Sequence, residues 1–574
     1  MSVKRGSLEK FWYGLIIVFL AWLIIAFVLF PNLQIFLSAF WHAGTVSMAS
    51  FSQIFTAHAA LASLGNSLLL GLLLSITSNV VGVFMVLTVS YFKIRGAKWL
   101  NLIYMSTIVY SGIVVASGYL FIYGESGFVT QLLRHVFPTL VANWFQGLPA
   151  VLFIMTFTCT ANHMMFLKGA LANLDYQMLE AAKLMGASQF QVLRQVVLPM
   201  LTPTLTTLTI FLFQTGIGAF SAPLIFGGTK FQTIAPTILT FAMDTYSRHL
   251  AVALSIILGL MQLVIFGVGM IIDRRRNVAF RTKVATPMKR QQIINPVINV
   301  IVHFIAYLIG FILIFPFVLV VIFSFTDDHS ISMGRIYSFT LENYMNVLTT
   351  PDTIMPIVTS LSYALLSAGI ALIMGMFLGR IAVLKRRPSL LERSEIAVMY
   401  LPWLLPAPLI ALALVTTYGQ PQWLVGNQIL TGGLVLLLVA YVVSRLPYSI
   451  RFMEAAFRGQ NRALEEAAVM LGASSTRAFF DVGLPAIRDS SLAVFSMNTL
   501  AHLAEYDMTV FLYSPSFIPL GVVIRDNTDP NSGTSSFGVN GLAANLIYSV
   551  LLVGIGSLLL YAVRKHAKDT TIMM

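Results

Sequence analysis

The sequence predicts an all-α membrane protein with about twelve transmembrane helices in two tandem six-helix repeats. Three observations carry that expectation. The apolar runs are too long for a soluble core, the lysines and arginines crowd into alternate loops, and a short alanine-rich segment occurs twice.

Of 574 residues, 57% are hydrophobic and 10% charged, and the mean hydropathy is +0.84. A soluble domain carries about 25% charged residues, so most of this chain belongs in lipid. At about 20 apolar residues per crossing there is room for roughly a dozen helices. The single cysteine, Cys159, lies in an apolar run without a partner, so packing is its expected role and no internal disulfide or CxxC metal site can form. Lys4 and Arg5 precede an apolar run over 11–30. That run is too long for a cleavable signal core, and no small-residue cleavage site follows it, so it reads as a retained first span.

Apolar windows place helices near 11–30, 64–92, 99–123, 147–167, 200–225 and 249–272, then near 299–323, 357–384, 395–418, 429–450, 487–512 and 541–563. Helices are expected rather than a barrel because the runs are continuously apolar, and a helix satisfies its own backbone groups in lipid. With both termini cytoplasmic, the inner segments hold 30 of the 35 basic residues, leaving only Arg134, Lys230, Arg248, Arg335 and Arg525 outside. This asymmetry fixes the orientation. It also explains the net charge of +13 by topology, with no basic-aromatic interleaving to suggest nucleic-acid binding. The run Asp273, Arg274, Arg275, Arg276, Asn277 reads as a stop-transfer anchor able to touch anionic lipid headgroups. Residues 273–298, basic and polar with Pro287 and Pro296, form the expected linker between a first repeat at 1–272 and a second at 299–574.

The repeated segment falls between the fourth and fifth span of each half, within loops 168–199 and 451–485. Glu180, Ala181 and Ala182 are followed by Gly186 and then Leu198-Pro199; Glu466, Ala467 and Ala468 are followed by Gly472 and Leu484-Pro485. Every landmark is offset by 286 positions, and six of the nine residues from Glu180 to Ser188 are identical to their counterparts. Leu174, Met178, Ala181 and Met185 recur at helical spacing, as do Leu464, Ala467 and Leu471, giving each short helix one apolar stripe. Paired alanines favour helix and let another surface approach closely. The glycine suits a left-handed helix terminus. Ser188 with Gln191 fits a capping box, of which Ser474 with Arg477 retains half. Pro199 and Pro485 sit where each polar helix ends and the next span begins. Each copy thus has the shape of a lever feeding the fifth span.

This pattern resembles the signature of the permease subunits of type I ATP-binding-cassette importers. The two copies resemble the fused permeases of the ferric-iron, thiamine, aminoethylphosphonate and polyamine branch, and the resemblance covers essentially the whole chain. It implies the type I importer permease fold in a bacterial inner membrane, with each repeated segment a coupling helix docking on a separate ATPase subunit. By matching position, Glu180 and Glu466 are the coupling glutamates and Gly186 and Gly472 the turns. The implied partners are ATP-binding-cassette ATPase subunits, two copies, and an extracytoplasmic solute-binding protein. ATP-Mg is expected on the ATPase and no cofactor on this chain. The overall likeness to the fused branch leans toward ferric iron as the solute.

No Gly-Lys dipeptide occurs, so a P-loop is excluded, and no HExxH or Gly-x-Ser-x-Gly motif appears. The chain is not expected to be an enzyme, nor to hold a metal centre. His163 and His502 read as satisfied or interfacial histidines, with a solute contact as the second reading. For the translocation path, the ninth span carries Pro402, Pro406 and Pro408, and the third carries Gly112 and Gly118; both end in Tyr-Gly. Helix breakers in matching spans can mark a midplane passage, though packing also explains them. Glu505 and Asp507 lie in the eleventh span, where a carboxylate at the bilayer centre costs about 2.5–3.5 kcal/mol; they are path candidates, or face a binding protein at the outer edge together with the loop 514–541. The rivals are a twelve-helix secondary transporter, which should carry protonatable residues deep in its spans, and a membrane scaffold that only anchors an ATPase.

Overall fold

In lipid a helix is the one local structure that satisfies its own backbone, and the chain is built accordingly. The computed structural model describes residues 14–42, 45–107, 112–172, 174–276, 289–384, 390–461, 463–528 and 540–566. Among them, ten helices are long and apolar enough to cross a membrane: Gly14–Phe40, His58–Tyr91, Gly112–Val136, Leu148–Ala172, Gln189–Ile217, Arg248–Ile272, Pro296–Ser324, Pro351–Val383, Leu434–Gly459 and Gly541–Val563. The third of these is turned at 124–127 and preceded by Ala97–Ser106. Shorter helices connect them, and the one strand pair among the described residues is a two-residue antiparallel ladder, Trp41–His42 with Thr45–Val46.

Two of the twelve expected spans contain no helix long enough to cross. The ninth consists of Leu390–Met399, Leu401–Leu404 and Ala407–Tyr418, interrupted at its prolines. The eleventh consists of Leu484–Ala486, Arg488–His502 and, after a non-helical stretch, Thr509–Leu512. Most of the expected linker, 277–288, and the core of the outer loop, 529–539, lie outside the described residues.

The amino-terminal span of each half packs on the other half. In Gly14–Phe40, Phe27 lies against Tyr418 at 5.2 Å between ring centroids, the Tyr418 hydroxyl donates to the Ala26 carbonyl, and Trp22 Nε1 donates to Leu424 O at 3.0 Å. In Pro296–Ser324, the Ala306 carbonyl accepts from the Tyr104 hydroxyl at 2.8 Å, and Phe323 meets Phe121 edge-on at 5.1 Å. The two repeats are therefore interlocked rather than side by side.

Within each half the second span is the hub. Its approach to the neighbouring helices is so close that glycine is required. A Cβ on Gly216 would lie 2.5 Å from the Gly71 Cα, and one on Gly375 would lie 2.8 Å from the Ser449 backbone carbonyl carbon. Small residues at helix contacts are how membrane helices gain packing without a hydrophobic drive. Serines add matched polar ties: Ser67 Oγ accepts from Ile234 N at 2.9 Å, and Ser360 Oγ accepts from Leu520 N at 2.7 Å. Each tie holds the second span to the start of a short helix beyond the fifth, Ile234–Met243 or Leu520–Asp526. Cys159 is buried and unpaired, as its apolar surroundings require.

Because the clashing atoms are backbone, they cannot swing aside. Gly216→Ala and Gly375→Ala are expected to lower stability in detergent by about 1–3 kcal/mol each, read as the thermal unfolding midpoint. Gly267→Ala, whose added carbon would meet nothing within 4 Å, should leave it unchanged or raised.

Candidate functional site

The two repeated segments fold alike. The first is the helix Tyr176–Leu184, capped by Asp175, whose carboxylate accepts from Gln177 N at 3.0 Å. Gly186 follows at φ +87°, and Gly472 takes the same left-handed place at φ +95° after the helix Ala463–Met470. Ser188 then opens the next helix with a full capping box, Gln191 N to Ser188 Oγ at 3.3 Å and Ser188 N to Gln191 Oε1 at 2.7 Å. Ser474 makes only the first of these bonds, to Arg477 N at 3.2 Å, while the Arg477 side chain pairs with Asp481 at 3.1 Å. Neither polar helix ends at its proline. A π-turn, Leu193–Val197 or Phe479–Gly483, carries the helix past Pro199 or Pro485. The extra residue in such a turn absorbs the hydrogen bond a proline cannot make.

Apart from Leu174, which is buried, the apolar stripe read from sequence points outward. Met178, Ala181 and Met185 are exposed, and the buried residues of that helix are Leu179 and Ala182. Leu184 and Met185 are 89% and 82% exposed, and their duplicates Met470 and Leu471 are 87% and 89% exposed. Glu180 and Glu466 are exposed, as is Ala467, whereas Ala468 is half-buried. Two large apolar side chains held on the same turn of both copies form a matched pair of uncovered knobs, the kind of surface that marks a contact site.

The two copies are anchored differently. In the first half, Leu87 at the end of the second span and Leu179 of the lever share one buried apolar cluster. The linker also straps this lever: Lys183 donates to the Gln291 side chain, Gln189 donates to the Gln292 carbonyl, and Ile294 N donates to Gln189 Oε1 at 3.1 Å. In the second half an ion pair does this work. Arg380 of Pro351–Val383 grips Glu465 with two bonds, 3.2 and 2.8 Å, and stacks over Phe479 at 4.4 Å. Gln460 adds a bond to Glu465 at 3.1 Å.

A cavity of about 500 Å³ lies between the halves. The first half contributes Gly112 and Ser221; the second contributes Ala407, Tyr441, Ser444, Arg445, Tyr448, His502, Glu505 and Asp507 among others. Ser221 donates to Asp507 Oδ1 at 2.9 Å, and Phe220 packs on Tyr506 at 5.6 Å. Glu505 accepts from Met508 N (2.8 Å), Thr509 N (3.0 Å) and the Thr509 hydroxyl (2.5 Å). His502 is held by Ser367 at 2.9 Å and Ser444 at 3.3 Å and stacks on Tyr441 at 4.1 Å.

Glu505, Asp507 and Gly112, picked from sequence, thus meet at one cavity. Gly118 does not join them: it borders two other cavities, one of about 690 Å³ that reaches Glu125, Asn143 and Arg525. Pro406 and Pro408 flank the lining residue Ala407 without lining it, and Pro406 packs near Gly259. His163 is buried with Nε2 on Asn79 at 3.0 Å, a packing histidine; His502 is both hydrogen-bonded and a wall of the cavity. Arg445 was missed because a count of loop charges assigned it to the inner flank of its span. The overlooked signal is its position inside the run 429–450, a few residues from the inner end, since an arginine within a span is a functional candidate by default.

The family described as "Binding-protein-dependent transport system inner membrane component" matches residues 75–278 and again 371–568. A protein named a probable ABC transporter permease, from Sinorhizobium fredii, is 33% identical over 546 residues, 95% of this chain and 94% of its own length. The ferric transport system permease protein of Actinobacillus pleuropneumoniae is 23% identical over 516 residues, covering 89% of this chain and 73% of its own. A protein of Haemophilus influenzae, also named for ferric transport, is 24% identical over 495 residues, 85% and 76% of the two chains.

Removing one member of the Arg380–Glu465 pair leaves a largely buried charge without its partner. Glu465→Gln is expected to loosen the second lever by about 1–2 kcal/mol, intermediate between an exposed and a buried pair. Amide exchange in Ala463–Met470 should then quicken about tenfold, while exchange in Tyr176–Leu184 stays as it was.

Proposed function

Because the chain belongs to the family of binding-protein-dependent transport system inner membrane components, we propose that it is a one-chain permease core, both repeats together, of an ATP-driven importer. The observation that carries this reading is the matched pair of uncovered apolar knobs, Leu184-Met185 and Met470-Leu471, on duplicated levers. A motor that grips both at once needs two like surfaces, so two ATPase subunits bind, one per lever. Glu180, Ala181, Ala182 and Gly186 form one coupling contact, and Glu466, Ala467, Ala468 and Gly472 the other. ATP-Mg sits on those subunits, since this sequence has no P-loop. The levers and both termini face the cytoplasm of a bacterial inner membrane, in keeping with the basic residues gathered on that side. A solute-binding protein delivers from the opposite face.

The mechanical line is short. The helix Gln189–Ile217 runs from the first lever across the membrane, about 43 Å at 1.5 Å per residue, and ends just before Ser221 and its bond to Asp507. Displacing the lever moves that bond, so ATPase closure and separation favour different states of the cavity walls through differential contact. Gly112, Glu505 and Asp507 line the path at its closed point, with Gly118 at a neighbouring chamber and the Pro406–Pro408 break shaping the wall. The finer reading of the solute as ferric iron rests on the printed names of two relatives at 24% and 23% identity.

One observation favours the rival secondary transporter: Arg445, His502, Glu505 and Asp507 all border one interhalf cavity, where such a transporter would hold its ion-binding groups. Reconstitution separates the two. Uptake into proteoliposomes should require the ATPases and ATP with no ion gradient present; gradient-driven uptake by the purified chain alone overturns the importer reading.

Two further outcomes are expected. Gly186→Val with Gly472→Val places a β-branched residue in a left-handed turn with open space around it, so the chain should insert normally while ATP hydrolysis no longer drives uptake. Met185→Glu with Leu471→Glu should weaken ATPase association about tenfold or more by desolvating a charge at each contact, measured by co-purification titration.

A further inference from the structure

An open groove of about 460 Å³ lies on the second half, where the start of the eleventh span meets the eighth, Pro351–Val383. Its walls are apolar. Leu372 comes from the eighth span, Phe480 from the π-turn beyond the second lever, and Leu484, Leu492 and Phe495 from the eleventh span. Protein covers none of them fully: Phe480 is 58% exposed and the other four are half-buried. Phe495 lies seven residues beyond Arg488, about 10 Å deeper along the helix Arg488–His502. Half of a hydrocarbon layer is about 15 Å thick, so the groove descends through most of one leaflet.

Arg488 stands at the shallow end of the groove. It is exposed and makes no hydrogen bond or ion pair among the described residues. The acids around it are committed elsewhere. Asp481 pairs with Arg477 at 3.1 Å, Glu465 is gripped by Arg380, and Asp489 is half-buried and already partnered. A guanidinium at the end of a span reaches into the headgroup layer while its stem lies on apolar surface. A basic side chain between helices at that level draws anionic headgroups.

The duplicated positions of the first half are built otherwise. Thr202, Thr206 and Thr209 stand for Arg488, Leu492 and Phe495, and Arg194 stands for Phe480. The Thr206 hydroxyl donates to Thr202 O at 2.9 Å, and that of Thr209 donates to Leu205 O at 2.7 Å and accepts from Asn79 at 2.8 Å. Apolar walls topped by a free cation therefore belong to the second half, not to the repeat as such.

We infer that this groove binds one anionic phospholipid, its phosphate-bearing headgroup against Arg488 and an acyl chain along Leu484, Leu492, Phe495 and Leu372. A free phosphate would leave the apolar walls uncovered, and a choline lipid would bring a second cation toward the guanidinium. The site goes beyond the importer reading and does not need it. Because Arg488 directly follows Ile487, where the helix from the second lever is interrupted, the lipid rests on the connection between that lever and the cavity wall.

The test is photolabelling of the full chain in phosphatidylcholine vesicles, with trace phosphatidylglycerol or phosphatidylcholine carrying the same diazirine-bearing chain. Adducts are counted by mass spectrometry in 480–495 and, as a reference, in Pro296–Ser324, whose Val300, Phe304 and Phe311 are exposed. Relative to the reference, labelling of the groove should favour phosphatidylglycerol about fivefold, the contribution of one basic side chain beside anionic headgroups. Arg488→Gln should bring that ratio to about one, Arg488→Lys should keep most of it, and Leu492→Trp should lower labelling of the groove by both lipids. The inference is overturned by a wild-type ratio of about one, or by a ratio that Arg488→Gln leaves untouched. No labelling of the groove by either lipid, as a second copy of this chain seated there would give, overturns it too. The wild-type comparison decides even if a variant fails to insert, and the assay needs no motor, so its failure leaves the importer reading standing.

Discussion

A residue and its own duplicate can touch only where the axis relating the two copies passes. Ser221 donates to Asp507, and Phe220 packs on Tyr506, and each pair is separated by the 286 positions that separate Glu180 from Glu466. The axis therefore runs through the short segments that follow the helices Gln189–Ile217 and Arg488–His502. Those segments are non-helical at 218–220 and 503–508. Irregular backbone at membrane depth persists only where it is enclosed by protein or lines a cavity, and here a cavity adjoins it. Everything else follows by symmetry: the levers stand on either side of the axis, and the first span of each half crosses it.

Departures from the symmetry are as informative as the symmetry. Leu87 and Leu179 in the first half stand where Arg380 and Glu465 stand in the second, so one lever is seated by apolar burial and the other by an ion pair. The cavity is more lopsided still. Arg445, Glu505 and Asp507 replace Cys159, Ala219 and Ser221 of the first half, so all its formal charge comes from one repeat. A permease assembled from two identical chains would place those charges in pairs about its axis, with like charges opposed. Fusion into one chain removes that constraint.

Much of this was legible in the sequence, and the reasons are local. Capping, left-handed glycine and helical spacing depend on a few neighbouring residues, so Ser188, Gly186 and Gly472 were readable with their conformations. Hydropathy gave the spans but smoothed over the breaks in the ninth and eleventh, because proline and glycine inside an apolar run read equally as packing or interruption. Periodicity found the apolar stripe of each lever without saying which way it faced, since that depends on what lies beneath: Leu179 and Ala182 are buried while Met178 and Met185 are not. Arg445 was hidden by a different cause. The positive-inside rule counts charges near span ends, and a functional arginine a few residues within a run is absorbed into that count.

The two connections from lever to axis are not equally regular. In the first half the π-turn Leu193–Val197 re-routes the backbone around Pro199, and the helix continues unbroken from Gln189 to Ile217. In the second half the π-turn Phe479–Gly483 passes Pro485 in the same way, but the helix stops at Ala486 and restarts at Arg488. The first connection is thus one continuous helix, whereas the second has a single irregular residue, Ile487 (φ −103°, ψ 8°), bridged by bonds from Ile487 N to Gly483 O at 3.3 Å and from Ser491 N to Ile487 O at 2.9 Å. The first connection ends beside uncharged Ser221, and the second ends beside the charged wall of the cavity. The ion pair lies on the same side as that irregularity: the second lever is seated on Pro351–Val383 by a charged pair with two bonds, which fixes its geometry more specifically than the apolar contact under the first.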